Sequence, residues 1–211
     1  MIKISKGLDL PISGKPDISI TDEPKISSVS LLANDFVGMK PTMLVKENDE
    51  VKVGEKLFED KKNPGIFFTA PAGGLIKSIN RGDKRKFLSI EIEISQNEEF
   101  IDFDMGSSQD EIKNTLINSG LWNVFRTRPF NRTPNISSSP EALFINCCDT
   151  NPLSVDPYEI INIDKDSFDK GLETIKQLFD CDIHLTYQNN NFDNTLSGIN
   201  YHQFTGPHPA G

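Results

Sequence analysis

The 211-residue sequence predicts an α+β chain in two parts, a small β domain over residues 1–100 and the start of an α/β domain over residues 101–211. Three observations lead there. Gly and Pro punctuate the first hundred residues densely and leave short runs of β character between them. Ser89–Ile94 alternates polar and apolar residues, the period of a strand with one buried face. The second part instead alternates buried-type strands with a segment at helical spacing.

In the first part the expected strands are Val29–Leu32, Thr42–Val45, Ile66–Thr69, Leu75–Ile79 and Phe87–Ile94. The stretch from Val45 through Val51, Gly54 and Leu57, followed by Ala70-Pro71-Ala-Gly73-Gly74-Leu-Ile76, resembles the barrel-sandwich hybrid fold of biotinyl and lipoyl carrier domains. Asn48-Asp49 and Gly54 suit its tight turns, and Pro71 with Gly73-Gly74 suits the turn at the sandwich edge. A carrier presents one modified lysine on a hairpin. Here that hairpin reads Glu59-Asp60-Lys61-Lys62-Asn63-Pro64-Gly65, with paired lysines and no methionine. A sandwich without a prosthetic group is expected. A carrier with biotin or lipoate on Lys61 or Lys62 is the rival.

In the second part Ser107–Gly120 reads as a helix with Ile112, Leu116 and Ile117 on its apolar face. Pro129, Pro134 and Pro140 make the following connection rigid. Ala142–Cys148 is a buried-type strand running into Asp149-Thr150-Asn151-Pro152. A helix capped by Asp166 or Ser167 carries Phe168, Leu172, Ile175, Leu178 and Phe179 at helical spacing. Cys181–Tyr187 and Ile199–Phe204 are the next strands, with a polar loop over 188–195 between them. Strand–helix–strand of this kind begins a Rossmann-like unit. No Gly-x-Gly-x-x-Gly and no Walker loop occurs, which disfavours nucleotide binding. The ending Thr205-Gly-Pro-His-Pro-Ala-Gly211 leaves that unit short of strands, so a piece of a longer protein is expected.

Charge and composition exclude several functions. No stretch approaches 18 apolar residues, and the N-terminus lacks an apolar signal core. The net charge of −9 argues against nucleic acid as a partner. Three cysteines, two of them adjacent (Cys147 and Cys148), make no disulfide framework and suit a reducing compartment. Residues 1–100 carry a net charge of −1 and residues 101–211 carry −8. Of five arginines, Arg126, Arg128 and Arg132 fall within seven residues, interleaved with Phe125 and Phe130, which suits a ligand or partner surface. The run Arg81-Gly-Asp-Lys84-Arg85-Lys86 reads as a solvated surface. His184, His202 and His208 lack metal-ligand spacing, and His184, between Ile183 and Leu185, reads as structural. Neither a catalytic constellation nor a metal site is expected.

A set of stretches in order along the whole chain resembles one family: the A subunit of the bacterial sodium-translocating NADH:quinone reductase. They are Ile4–Gly14, Phe36-Val-Gly-Met39 with Pro41-Thr-Met43, Leu57–Gly65, Asn80-Arg-Gly82 with Lys84-Arg85, Ser119-Gly-Leu-Trp122, Arg126-Thr-Arg-Pro-Phe130, Asp149–Leu153 and Gly206–Gly211. The resemblance implies a peripheral subunit on the cytoplasmic face of the inner membrane. Its partners would be the other subunits of the complex, with ubiquinone, and the complex would couple NADH oxidation and quinone reduction to Na+ export. No cofactor is expected on this piece, with FMN, FAD and iron–sulfur groups held elsewhere. A distant likeness to the flavin- and NADH-binding subunit of complex I fails where Trp122-Asn-Val-Phe replaces the glycine-rich loop. A flavin- or NADH-binding subunit is nevertheless a further rival. By the resemblance, the quinone-contact regions are Leu32, Phe36, Val37 and Met39, together with the segment from Phe125 to Arg132, and the candidate contacts on that segment are Phe125, Arg126, Arg128 and Phe130. Phe125, Phe130 and Met39 would sandwich the ring, and Arg126 or Arg128 would donate to a carbonyl oxygen. The same two segments would equally serve as docking anchors on other subunits.

Overall fold

The computed structural model describes residues 1–14, 16, 17, 19, 25–193 and 195–210. Gly211, the end of the final matching stretch and of the expected truncation, lies outside them. In chain order the strands and helices are β1 (Ile2–Lys3), β2 (Ser28–Leu32), β3 (Pro41–Met43), β4 (Glu50–Val51), β5 (Lys56–Asp60), β6 (Phe67–Thr69), β7 (Gly74–Arg81) and β8 (Phe87–Ile94). Then come α1 (Gln109–Asn118), β9 (Ala142–Cys147), α2 (Pro157–Ile163), α3 (Lys165–Leu178), β10 (Asp182–Tyr187) and β11 (Asn200–Thr205). The chain forms two compact units, Glu23–Ser138 and Met1–Asp22 with Ser139–Gly211. They do not divide at the expected 100/101 boundary. Residues 107–138 join the β unit, because their hydrogen bonds run to it, and β1 joins the α/β unit.

The β unit is a sandwich of two antiparallel sheets, ordered β2-β8-β7-β4 and β3-β5-β6. Phe58 is fully buried in its core, stacked on Phe68 at 4.6 Å and edge-on to Phe87 at 5.3 Å. The register between β5 and β6 shifts between Lys56 and Phe58. Two neighbours, Leu57 and Phe58, are therefore both buried, against simple alternation. Gly74 has a φ of 154°, and a β-carbon there would sit 2.0 Å from the Glu93 carbonyl oxygen. Only glycine lets β7 and β8 close at this point.

Helix α1 begins with a capping box. The Ser108 hydroxyl accepts from Glu111 N, and the Glu111 carboxylate accepts from Ser107 N at 3.0 Å and Ser108 N at 2.9 Å. Those two N–H donors hold the Glu111 carboxyl below its ordinary value. A lowered carboxyl contributes stability that is present above its unfolded-state value and lost as pH falls through the folded one. Glu111→Gln is therefore expected to lose less stability than the parent between neutral pH and about pH 3. Urea titrations at the two pH values check this, and identical losses would contradict it.

The segment after α1 closes the edge of the smaller sheet. Asn123 Nδ2 donates to the Phe67 carbonyl at 2.7 Å, and Thr69 Oγ1 donates to the Ser119 carbonyl at 2.8 Å. Edge strand β6 is thus covered rather than open. At Gly120 φ is 79°, and a β-carbon would meet Thr69 Oγ1 at 2.5 Å.

In the α/β unit four strands run parallel in the order β1-β11-β10-β9. One face carries Cys147, Leu185 and Tyr187 into a core with Leu172 and Phe168 of α3, Tyr158 and Ile161 of α2, and Phe192. Ile183 and Leu185 are buried, as expected for the strand that holds His184. His184 stacks on Phe144 at 5.1 Å, and its Nδ1 lies 2.9 Å from His202 Nε2. Burial pushes the Cys147 thiol up to about 11 and raises that of Cys148 as well, which disfavours the thiolate at both. The cap of α3 is Asp164, which accepts from Ser167 N at 3.1 Å, two residues before the expected position. Helix α2, capped by Asp156 with Pro157 at its start, has no counterpart among the expected elements. Among the described residues no helix is long and apolar enough to cross a membrane.

Candidate functional site

The two segments expected to meet quinone, 32–39 and 125–132, meet each other in the β unit. Leu32 ends β2, and a short 3-10 turn over Ala33–Asp35 carries the chain to Phe36. The Phe36 ring packs edge-on to core residue Phe68 at 4.6 Å, which anchors the loop to the sandwich. On its other side the Arg126 guanidinium lies over the Phe36 ring, 5.5 Å from its centre. Arg132 packs over Gly38, where a β-carbon would sit 3.4 Å from its Nε.

Arg126 is held from its own side as well. Its Nη1 donates to the carbonyls of Asn123 and Phe125 and to Thr133 Oγ1, the last two at 3.1 and 3.3 Å. One planar cation thus ties together the turn before it, the loop after it and the ring of the facing segment. Beyond Arg126 the chain folds back. Thr127 N donates to the Arg132 carbonyl at 2.8 Å, and Asn131 N donates to the Thr127 carbonyl at 2.7 Å. Arg128 is exposed on this loop, and Phe130 stands at its tip with 69 % of its surface exposed. Phe125 turns inward and packs edge-on against Trp122 at 5.3 Å. Trp122 is buried, with its Nε1 donating to the Pro134 carbonyl at 3.0 Å.

An open groove of about 500 Å3 lies beside the 33–41 loop. Phe36, Val37 and Met39 line it, as does the basic run expected to be solvated surface: Arg81, Lys84, Arg85 and Lys86. Lys62 also lines it, and donates from Nζ to the Gly38 carbonyl at 3.1 Å. Three apolar groups beside several N–H donors fit a quinone-sized ring, and the volume is that of a small-molecule site. Arg132 belongs to the expected 125–132 segment, whereas sequence reading missed Lys62 and the 81–86 run as neighbours of this loop.

The hairpin that would carry a prosthetic group is clasped. Asn63 Nδ2 donates to the Thr133 and Pro134 carbonyls at 3.4 and 3.2 Å, and Asn135 Nδ2 donates to Asn63 Oδ1 at 2.8 Å.

In the other unit, the loop Asp149–Pro152 lies at the carboxyl end of β9, where open parallel sheets place ligands. Asp149 accepts from Asn151 N at 2.8 Å, which holds its carboxyl below the usual range. Thr150 Oγ1 lies 2.9 Å from His208 Nδ1. The crevice there measures only about 120 Å3, below the range of a nucleotide site. Among the described residues no group of three His, Cys, Asp or Glu is placed to hold a metal ion.

Comparison with known proteins gives the lineage. Residues 2–95 match the NqrA N-terminal barrel-sandwich hybrid domain, and residues 107–211 match the NqrA second alpha/beta domain. The chain is 46% identical to the Na(+)-translocating NADH-quinone reductase A subunit of Yersinia pseudotuberculosis serotype O:1b over an alignment 220 positions long. It is likewise 46% identical to that of Photorhabdus laumondii and 44% identical to that of Neisseria meningitidis serogroup B. Each alignment covers all of this chain and 49% of the relative, so the chain spans about half the length of the curated relatives it matches. The two domain models in order, with this identity from end to end, place the chain in the NqrA family of Na(+)-translocating NADH-quinone reductase A subunits.

Proposed function

We propose that this protein works as the A subunit of a sodium-translocating NADH:quinone reductase, peripheral on the cytoplasmic face, and that its β unit contributes to the quinone site. The relatives' name supports the subunit reading, and the cytoplasmic placement follows the resemblance. The observation that carries the second is the union of segments 32–39 and 125–132 through Arg126 over Phe36. Phe36, Val37 and Met39 offer the apolar wall. Arg128 is exposed on the facing loop as the candidate donor to a carbonyl oxygen, and Arg126 ties that loop to Phe36 of the wall. NADH, flavins and iron–sulfur groups are assigned to other subunits by the resemblance, and the crevice at Asp149–Pro152, about 120 Å3, is below the range of a nucleotide site.

Titration of the full-length protein with a short-tail ubiquinone tests this. Trp122, the single tryptophan of these 211 residues, touches Phe125 and reports on the neighbouring loop. Saturable quenching is expected, and it should disappear in Arg128→Ala and Phe130→Ala. Unchanged fluorescence would make 125–132 a docking surface and place quinone elsewhere. The carrier rival is opposed by the clasped hairpin and by the Lys62 ammonium bonded to Gly38. Intact mass checks it, since a carrier gains the mass of biotin or lipoate.

A further inference from the structure

We propose that the basic groove of the β unit docks directly on an anionic phospholipid surface, with its cations on the headgroup phosphates and the apolar residues beside them against the lipid. This does not depend on the quinone reading. Six cationic side chains line the groove, Lys40, Lys62, Arg81, Lys84, Arg85 and Lys86, and no carboxylate does. Among the described residues none of the six forms an ion pair, whereas Lys52, Lys77 and Lys165 each pair with a nearby carboxylate. The concentration is notable in a chain of net charge −9. At physiological salt the Debye length is about 8 Å, so the groove's own charge, not the distant acids, governs what approaches it.

The nearest acids in sequence, Asp83 beside Lys84 and Asp35 beside Asn34, are exposed, and neither lines the groove. The buried Asp60 carboxylate accepts from the backbone N–H groups of Lys40 and Lys62 at 3.0 Å each, and so holds the backbone of these two cation-bearing residues in position. The turn that carries Lys84 and Arg85 has a second unusual property. Both residues adopt left-handed φ values, 55° and 59°, as the tight turn joining β7 and β8 requires, so two long cations stand where such turns usually carry Asn or Gly.

The apolar neighbours favour a bilayer over an acidic protein. Leu32 precedes the 33–35 turn, Val37 lines the groove, and Leu88 lies over Gly82 in the basic turn. Each of the three leaves close to half of its surface in water. Exposed aliphatic side chains beside Lys and Arg are the pattern of an interfacial surface, in which phosphate attracts the cations and the aliphatic groups enter the headgroup boundary.

Co-sedimentation of the full-length protein with phosphatidylcholine vesicles, with and without phosphatidylglycerol, tests the proposal. Binding is expected only when phosphatidylglycerol is present, and should weaken with added salt. K84N/R85N/K86Q should lower vesicle affinity about ten-fold or more, asparagine being suited to the left-handed turn. Val37→Asp should also weaken binding, because it opposes insertion. Neutralising Lys46, Lys170 and Lys176 instead should leave binding unchanged. Thermal melting of each variant checks its folding, and the single substitutions Lys84→Asn and Arg85→Asn serve if the triple variant fails to fold. Equal binding to both vesicle types, or parent-like binding by the folded triple or single variants, would overturn the proposal. So would binding of polyglutamate or inorganic phosphate without vesicle binding, the first pointing to an acidic protein partner and the second to a soluble phosphate.

Discussion

Phe58→Ala is expected to lower the unfolding free energy of the β unit by about 3–5 kcal/mol, the usual cost of emptying a large aromatic site. Phe58 is fully buried between the sheets and touches the rings of both Phe68 and Phe87. Phe68 in turn supports Phe36, the residue that begins the candidate site. The cavity left by alanine would be lined by rings fixed on two different sheets, so collapse would relieve little of the loss. Denaturant titration of parent and variant measures the difference. A loss under about 1 kcal/mol would show that the sandwich core is not centred on this stack.

Arg126→Ala is expected to weaken short-tail ubiquinone binding by about ten-fold, with the fold retained. Arg126 does not need to touch the quinone for this. Its guanidinium binds the Asn123 and Phe125 carbonyls and Thr133 Oγ1 on one side and covers Phe36 on the other. Without it, the apolar wall and the loop carrying Arg128 and Phe130 lose their shared anchor. Arg126→Lys should restore little, since a point charge cannot make the planar fork and lie flat on the ring. Full rescue by lysine would mean that only the charge matters. The titration described above, repeated on both variants, distinguishes these outcomes.

Much of the fold was legible in the sequence because it depends on local pattern. Alternation in Ser89–Ile94 marked β8, and the Ala-Pro-x-x-Gly turn marked the approach to β7. Helical spacing marked α3, although its cap lies two residues earlier than expected, because Asp164, Asp166 and Ser167 are all competent caps. Long-range features were not legible. Pairing of Ile2 with Phe204 closes a loop of nearly the whole chain, and nothing local in Met1-Ile-Lys-Ile points to a parallel partner. The bulge that buries both Leu57 and Phe58 breaks the period on which strand reading rests. Helix α2 could have been found, since Asp156-Pro157 is a cap followed by a proline suited to a first helical turn.

The candidate site divides in the same way. Its residues were named through resemblance, segment by segment, yet their meeting is a tertiary fact. Neither Phe36 nor Arg126 announces the other across ninety residues. The expected sandwich of Phe125, Phe130 and Met39 was drawn without a fold. In the structure Phe125 packs on Trp122, Phe130 stands at the loop tip, and Met39 lines the groove. The basic run at 81–86 read as ordinary surface because its neighbour, the 33–41 loop, is brought beside it only when the sheet β2-β8-β7-β4 forms.

The most direct measurement is photolabelling of the assembled complex with a photoreactive ubiquinone, followed by peptide mapping of this protein. Label divided between residues 32–39 and 125–132, and competed by unlabelled ubiquinone, is the predicted result. Competed label confined to other subunits, with none in these two segments, would contradict a quinone site on the β unit.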